Sequence, residues 1–326
     1  MMKDGSLNEL LLLFLSKKGN YVSGEEISEK FGVSRTAVWK QVNHLRKLGY
    51  EIDSVPRVGY CLKKSPDLLL PEEIIQNSRL EFLARKIYYY PSIGSTNDEA
   101  KKLAQNGAPH GTLVIAEEQT GGKGRLGRRW VSPPREGIWL SIILRPSLEP
   151  YEAPRITMTC AVAAAKAIRK VAGIDCWIKW PNDLLVEGKK VAGILTEMSA
   201  DMDSINFVVT GIGVNVNNTD FPAEIKETAT SLKLVSGKNV ERLKILTEFL
   251  SQFEVFYRYL EDGEFGKVLE EWRQLSCNLG RRVRIIGRNS ELEGLALDVD
   301  DDGALLVKTD GGTVERVLSG DVSLRE

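Results

Sequence analysis

The ten residues Gly121-Gly-Lys-Gly-Arg-Leu-Gly-Arg-Arg-Trp130 exclude the fold that their spacing superficially suggests. Gly122, Gly124 and Gly127 spell G-x-G-x-x-G behind an apolar strand-like run, and Glu149 follows at about the distance of a ribose-binding acid. A dinucleotide fold needs a helix to open at this loop, so that the helix N-terminus meets the pyrophosphate. Here Trp130-Val-Ser-Pro-Pro134 follows, and then another strand-like run, so the Rossmann reading fails. What remains is a flexible cationic loop. Its glycines allow close backbone approach to a ligand, and Lys123, Arg125, Arg128 and Arg129 supply positive charge with no acid among them. That composition suits phosphates and a carboxylate that must be brought together against their repulsion. A solvated basic surface loop is the plain alternative.

Around this loop the chain reads as three segments: residues 1–67, 68–274 and 275–326. In the first, Leu7, Leu10, Leu11 and Phe14 fit one apolar helix face. Ser23 and Glu26 form a capping box for a second helix that carries Ile27 and Phe31 inward, and Gly32-Val33 makes a turn. Ser34 caps a third helix, in which Val38, Val42, Leu45 and Leu48 form the buried stripe and Gly49 the stop. Two short strands, Glu51–Val55 and Gly59–Leu62, follow through Pro56-Arg57-Val58. That order is a winged helix-turn-helix. Residues 1–65 carry eleven Lys/Arg against seven Asp/Glu in a chain of formal charge −1, a local basic excess that fits nucleic acid at this end. The residues assigned to DNA are Ser34, Arg35, Thr36, Lys40 and Gln41 on the third helix, and Arg57 in the wing.

The central segment mixes strands (Val114–Ala116, Ile138–Leu144, Val191–Met198, Phe207–Ile212) with helices (Ile156–Val171, Val240–Leu260). The strands follow one another too directly for strict βαβ alternation, so a mixed sheet flanked by helices is expected. The last segment is all β, with strands at Arg282–Ile286, Leu292–Leu297, Leu305–Thr309 and Val314–Leu318, and a small SH3-like barrel is the expected form. The fold class is therefore α+β.

Four scattered cysteines and two histidines exclude a zinc finger of familiar spacing and give no metal site. The apolar run Leu10–Leu15 is too short for a signal peptide and lacks a basic flank, so a soluble cytoplasmic protein is expected, with no membrane partner. Two further motifs carry chemistry. In Lys179-Trp-Pro-Asn-Asp183, followed by Lys189-Lys190-Val-Ala-Gly-Ile-Leu195, a strand–turn–strand hairpin would bring Lys190 close to Asp183. In Gly211-Ile-Gly-Val-Asn-Val-Asn217, Asn215 can offer an amide beside glycines at a strand end. Ser95-Thr-Asn97 reads either as a ligand contact or simply as a helix cap.

In this order the motifs resemble the biotin–protein ligases, in the larger bacterial form that doubles as the biotin operon repressor. The resemblance spans nearly the whole chain, and the Gly-Lys-Gly-Arg-Leu-Gly-Arg loop, Lys-Trp-Pro-Asn-Asp and Lys-Val-Ala-Gly-Ile-Leu are jointly specific. It implies a core related to class II aminoacyl-tRNA synthetases and lipoate ligases. It implies that Ser95, Thr96, Asn97 and Gln119 surround biotin, and that Lys123, Gly124 and Arg125 belong to a loop closing over biotin and its adenylate. Lys190 would lie beside the biotin carboxylate and the α-phosphate. Lys190, Arg125 and Lys123 are thus the catalytic candidates, and Arg128, Trp130, Asn182, Asn215 and Arg325 the ATP-side ones. Many members have arginine at position 123, so here the charge is kept and a bidentate grip is lost.

The implied substrates are biotin and ATP with Mg²⁺. The partners are the acceptor lysine of a biotin carboxyl-carrier protein, operator DNA, and a second copy of the chain when the adenylate is bound. No enzyme nucleophile is needed, which fits a core without a Ser-His-Asp or Cys-His set. Asp183 has two readings, orienting the incoming lysine or holding Lys190. A lipoate ligase and a non-catalytic ligand sensor are the competing functions.

Overall fold

The computed structural model describes residues 5–287, 291–318 and 320–324. The chain divides into two compact units, one ending at Arg79 and the other beginning at Leu80.

The first unit contains α1 (Gly5–Ser16), α2 (Gly24–Phe31), α3 (Arg35–Lys47), the hairpin β1 (Glu51–Val55) and β2 (Gly59–Lys64), and α4 (Pro71–Asn77). Serine side chains cap the starts of α2 and α3. Ser23 Oγ accepts from Glu26 N–H at 3.0 Å, and Ser34 Oγ from Ala37 N–H at 3.2 Å. Gly32, at φ 62°, ends α2 in the left-handed conformation that a tight turn requires. Leu10, Leu11, Phe14, Ile27, Val38, Val42 and Leu45 form one core with Tyr50, Ile52 and Leu62. The Leu7 side chain lies outside the described residues. Leu68 and Leu69, read from sequence as lying just beyond the boundary, are buried, as is Ile74 of α4, and α4 packs against α1.

The second unit is built on a seven-stranded sheet of order β3-β4-β5-β9-β8-β7-β6. Its strands are β3 (Ile87–Tyr90), β4 (Thr112–Ala116), β5 (Gly137–Leu144), β6 (Trp177–Lys179), β7 (Asp183–Val186), β8 (Lys189–Ala200) and β9 (Ile205–Asn215). β3 and β4 pair in parallel and the remaining neighbours are antiparallel, so the mixed sheet is as the segment order demands. All eight residues of β5 are buried, because both faces of the sheet are covered. On one face Ile138, Ile212 and Val214 meet Ala164 and Ile168 of α6 (Pro154–Ala172) and Leu246 and Phe249 of α8 (Arg242–Glu261). On the other face Val209 and Phe207 pack with Ala100 and Ala104 of α5 (Thr96–Gln105). Strand alternation then places Gly211 and Gly213 on the α5 side. Two shorter elements complete the core, α7 (Leu232–Ser236) and α9 (Phe265–Leu275).

The C-terminal strands β10 (Arg282–Ile286), β11 (Glu291–Val299), β12 (Leu305–Lys308), β13 (Val314–Val317) and β14 (Asp321–Leu324) form an antiparallel sheet of order β13-β12-β11-β10-β14. Among the described residues β13 pairs only with β12 and β14 only with β10, so the sheet is open where a closed SH3-like barrel was expected. This region is part of the second unit. The Trp180 indole N–H donates to Gly303 O at 3.0 Å and its backbone N–H to Asn278 Oδ1 at 2.7 Å, fixing the segment that leads into Asp183. No helix among the described residues is long and apolar enough to cross a membrane.

Candidate active site

On the α5 side of the sheet, near the start of that helix, lies a cleft of about 460 Å³. Its polar floor is built by a few side chains that hold one another. Ser95 is both a cap and a wall of the cleft: its Oγ accepts from Asp98 N–H at 3.4 Å, which starts α5, and it faces the opening. The Thr96 backbone N–H and hydroxyl reach Gln119 Oε1 at 2.8 and 3.0 Å, and Gln119 Nε2 donates to Ser132 Oγ at 2.9 Å. Asn97 Nδ2 donates to Leu195 O at 3.1 Å and to Glu197 Oε2 at 2.8 Å, while its Oδ1 lies 2.6 Å from Ser141 Oγ. The amide orientation is therefore set by its neighbours.

Two glycines of β9 make room for this arrangement. A Cβ on Gly211 would sit 2.1 Å from Asn97 Oδ1, and one on Gly213 would sit 2.3 Å from Trp130 Nε1. Neither distance is compatible with any larger residue, which explains both glycines on the cleft-facing side of the strand.

The cationic loop folds over the other end. Trp130 N–H bonds Gly122 O at 2.9 Å and Gly124 N–H bonds Arg128 O at 2.7 Å, closing the loop base. Its tip reverses through Leu126 at φ 56° and Gly127 at φ 73°. The left-handed conformation costs about 1–2 kcal/mol for a residue with a Cβ, a cost the loop carries at Leu126. Each cation that the sequence singled out for chemistry has a partner. Arg125 Nη1 donates to Asn182 Oδ1 at 3.0 Å and to Gly320 O at 3.4 Å. Lys190 Nζ lies 2.6 Å from Asp183 Oδ1 and 5.3 Å from the centre of the Trp130 ring. Lys123 Nζ lies 2.6 Å from Asp98 Oδ2. Asn182 is itself pinned, donating to Ile194 O at 2.7 Å, and Asn215 donates to Thr230 O at 3.1 Å.

The sequence-selected residues Ser95, Thr96, Asn97, Gln119, Lys123, Gly124, Arg125, Arg128, Trp130, Asn182, Lys190 and Asn215 all line this one cleft. Arg325 lies outside the described residues. Sequence reasoning missed the wall formed by Phe221, Ile225, Thr228 and Ala229, which joins the sheet where Lys190 N–H bonds Thr228 O at 2.7 Å. Its apolar and small residues carry no motif. Among the described residues no group of three or more His, Cys, Asp or Glu is arranged to hold a metal ion.

In the first unit, Ser34, Arg35, Thr36 and Lys40 stand on the exposed face of α3, and Arg57 at the tip of the β1–β2 hairpin. Gln41 is a correction: it is buried, at 6% exposure. It falls at the third position after Val38 and so shares the buried stripe with Val42 and Leu45. Trp39, unselected, is 54% exposed on the opposite side, beside Arg35, Thr36 and Lys40.

Residues 89–215 match the model of the biotin/lipoate A/B protein ligase family, residues 7–61 a helix-turn-helix domain, and residues 279–325 the biotin protein ligase C-terminal domain. The chain is 41% identical over 326 residues to the bifunctional ligase/repressor BirA of Bacillus spizizenii, covering 99% of this chain and 100% of that one. It is 29% identical over 328 residues to the protein of the same name from Escherichia coli, covering 99% of each. Biotin protein ligase from Aquifex aeolicus, solved in complex with biotin and ATP, superimposes with a TM-score of 0.64 at 28% identity, covering 74% of this chain and 99% of that one.

Proposed function

The chain belongs to the bifunctional ligase/repressor family, and from that premise we propose that it joins biotin to a carrier protein at the expense of ATP and represses transcription when the biotinyl adenylate is bound. The observation that carries the ligase half is one cleft with two chemically distinct ends. Ser95, Thr96, Asn97 and Gln119 form a polar floor at one, Arg125 with Asn182 and Lys190 with Asp183 stand at the other, and Lys123 of the loop reaches Asp98 beside the floor. The polar floor suits the ureido ring of biotin, whose oxygen and N–H groups need hydrogen-bond partners, whereas the dithiolane of lipoate has no such groups to satisfy.

The biotin carboxylate oxygen attacks the α-phosphorus of ATP, the new O–P bond forms, and pyrophosphate leaves with the electrons of the broken P–O bond. Lys190 and Arg125 sit where carboxylate and phosphate must meet, so they offset the repulsion and stabilise the charge that builds. Both are held in advance, Lys190 by Asp183 and Arg125 by Asn182, so little reorganisation is needed. The acceptor lysine amine then attacks the carbonyl of the mixed anhydride, AMP leaves, and the amine loses a proton. Asp183, at the cleft wall, holds Lys190, and as a carboxylate lining the cleft it is also a candidate to orient the incoming amine. Mg²⁺ arrives with the ATP phosphates. Trp130, Arg128, Asn182 and Asn215 form the nucleotide side, with Arg325 assigned there from its place in the sequence.

The repressor half rests on α3 and the wing. Ser34, Arg35, Thr36, Lys40 and Arg57 are placed for the major groove and backbone of an operator, and Trp39 joins them. One such helix reads one half-site, so repression requires a homodimer on a near-palindromic operator. The adenylate favours that dimer by binding it more tightly than the monomer. ATP, carrier protein and operator place the work in the cytoplasm.

The test of the ligase half is exchange of labelled pyrophosphate into ATP by the full chain. Exchange that needs biotin, and that lipoate does not replace, is the expected result. Exchange supported by lipoate alone, or none at all, overturns it, the latter leaving a ligand sensor without catalysis.

A further inference from the structure

The side chain of Lys123, on the covering loop, pairs with a residue outside the cleft lining. Its Nζ lies 2.6 Å from Oδ2 of Asp98, in the first turn of α5. Asp98 Oδ1 in turn lies 3.2 Å from Lys101 Nζ, and Lys101 lies 2.8 Å from Glu197 Oε1. The other oxygen of Glu197 accepts from Asn97 Nδ2 at 2.8 Å. Two lysines and two carboxylates thus alternate along a chain that starts on the loop and ends on an amide of the polar floor. Asp98, Lys101 and Glu197 are absent from the cleft lining, so whatever they do for a ligand passes through Lys123 and Asn97.

We propose that Asp98 is a positioning residue that tethers the glycine-rich loop through Lys123 before any ligand arrives, and so sets how long biotin and its adenylate are retained. The ligand part of this statement rests on the ligase reading above; the tether does not. The base of the loop is closed by backbone bonds, from Trp130 to Gly122, from Gly124 to Arg128 and from Gly121 to Gly94 at 2.7 Å. Past that base, side-chain anchors to the rest of the unit include Arg125 on Asn182 and on Gly320, and Lys123 on Asp98. Arg125 points to the reacting end, and the Lys123–Asp98 pair fixes the side facing α5.

The placement suits a carboxylate. The first turn of a helix favours negative charge, and Ser95 accepts the Asp98 N–H there. Burial alone would push the Asp98 carboxyl up, but the hydrogen bonds and charges of Lys123 and Lys101 outweigh it and hold it below the ordinary aspartate range. The tether is therefore ionised at neutral pH. Its contribution is small in absolute terms, because Lys123 is half exposed in the pair and screened. A small bias is enough for a loop that must also open to admit substrate.

The experiment uses the full chain with Asp98→Asn, Asp98→Ser and Asp98→Glu. Asparagine removes the charge, serine is too short to reach Lys123, and glutamate restores the charge. The ligand-free proteins are treated with trypsin, and the cuts after Lys123, Arg125, Arg128 and Arg129 are timed by mass spectrometry. Cleavage at these sites should quicken about two- to five-fold in the Asn and Ser variants, the range expected of an exposed ion pair, and return toward the parental rate in Glu. Cuts elsewhere and the thermal midpoint should stay put. In the ligase assay the Asn variant should raise the biotin KM by a similar factor while kcat changes less.

Loop cleavage at the parental rate in both Asn and Ser overturns the tether, whatever the ligand is. Faster cleavage across the whole chain, with kcat and KM falling together and no recovery in Glu, shows a merely structural role and also overturns it. If the parental chain shows no biotin-dependent exchange, the ligase reading fails while the trypsin comparison still decides the tether.

Discussion

In the cleft, cations are paired before any substrate arrives: Lys190 with Asp183 at 2.6 Å, Arg125 with Asn182 at 3.0 Å, Lys123 with Asp98 at 2.6 Å. On the outer face of α3 the cations stand in solvent. Arg35 pairs with Glu25 at 3.1 Å, both mostly exposed, and Lys40 is exposed beside it. The first arrangement suits chemistry, where a group must already be aimed when charge develops and a misplaced atom costs rate. The second suits a polyanion, where affinity comes from releasing condensed counterions and aim matters less. Two positive surfaces on one chain therefore should fail in different ways when cut.

The largest failure is expected in the cleft. Lys190→Ala and Arg125→Ala should each lower adenylate formation by roughly 10²–10³-fold while the melting transition stays in place, measured by biotin-dependent pyrophosphate exchange and circular dichroism. An Arg125 variant at the parental rate would mean that its bond to Asn182 is structural and that the loop charge is idle. On the α3 face the losses should be smaller and of two kinds. Trp39→Ala should weaken binding to a duplex selected from a random pool by the parental chain, by about 1–3 kcal/mol, if its indole contacts base edges. Lys40→Ala should weaken binding to all duplexes alike and lower the slope of log affinity against log salt by about one. Titrations at several salt concentrations separate the two, and a Trp39 variant that behaves like the Lys40 one would erase the distinction between base and backbone contact.

Gly211→Ala sharpens the comparison from the side of packing. The added methyl meets the Asn97 amide, so the cleft must distort or Asn97 must leave its three partners. A loss of about 1–3 kcal/mol in stability, with a raised biotin KM, is expected from denaturant titration and steady-state kinetics. The smallest effect is a cap. Ser34→Ala should cost about 1 kcal/mol in the first unit alone, seen as a lower midpoint for that unit and unchanged adenylation.

The same contrast decides what could be read from the sequence. The cleft residues were legible because glycine, lysine, arginine, proline and asparagine carry backbone and charge constraints that survive without a structure. The cleft wall at Phe221–Ala229 was not, since small and apolar residues in a loop announce nothing until the sheet brings them beside Lys190. Asp98 carries no motif of its own, and its reach to Lys123 depends on how the loop folds back. On α3 the residue type misled. Gln41 looks polar and was assigned outward, yet Val38, Gln41, Val42 and Leu45 follow the i, i+3, i+4, i+7 spacing of one buried face. The same spacing turns Trp39 out. Among the strands, β3, β6 and β14 went unrecognised, and β7 was implied only as an arm of the hairpin that brings Lys190 to Asp183. β3 is short and half-buried, and β14 is short too, so neither shows the alternation or the long apolar run by which β5 and β9 stand out.

The central claim is that adenylate made in the cleft governs DNA binding on α3. It is tested most directly by operator affinity measured at one fixed salt concentration, with and without biotin and ATP together, in the parental chain and in Lys190→Ala. Affinity should rise when both substrates are supplied to the parental chain and stay at the unliganded level in the variant, because the variant cannot form the adenylate. Equal affinity with and without the substrates in the parental chain would contradict it, leaving a ligase that carries a constitutive DNA anchor.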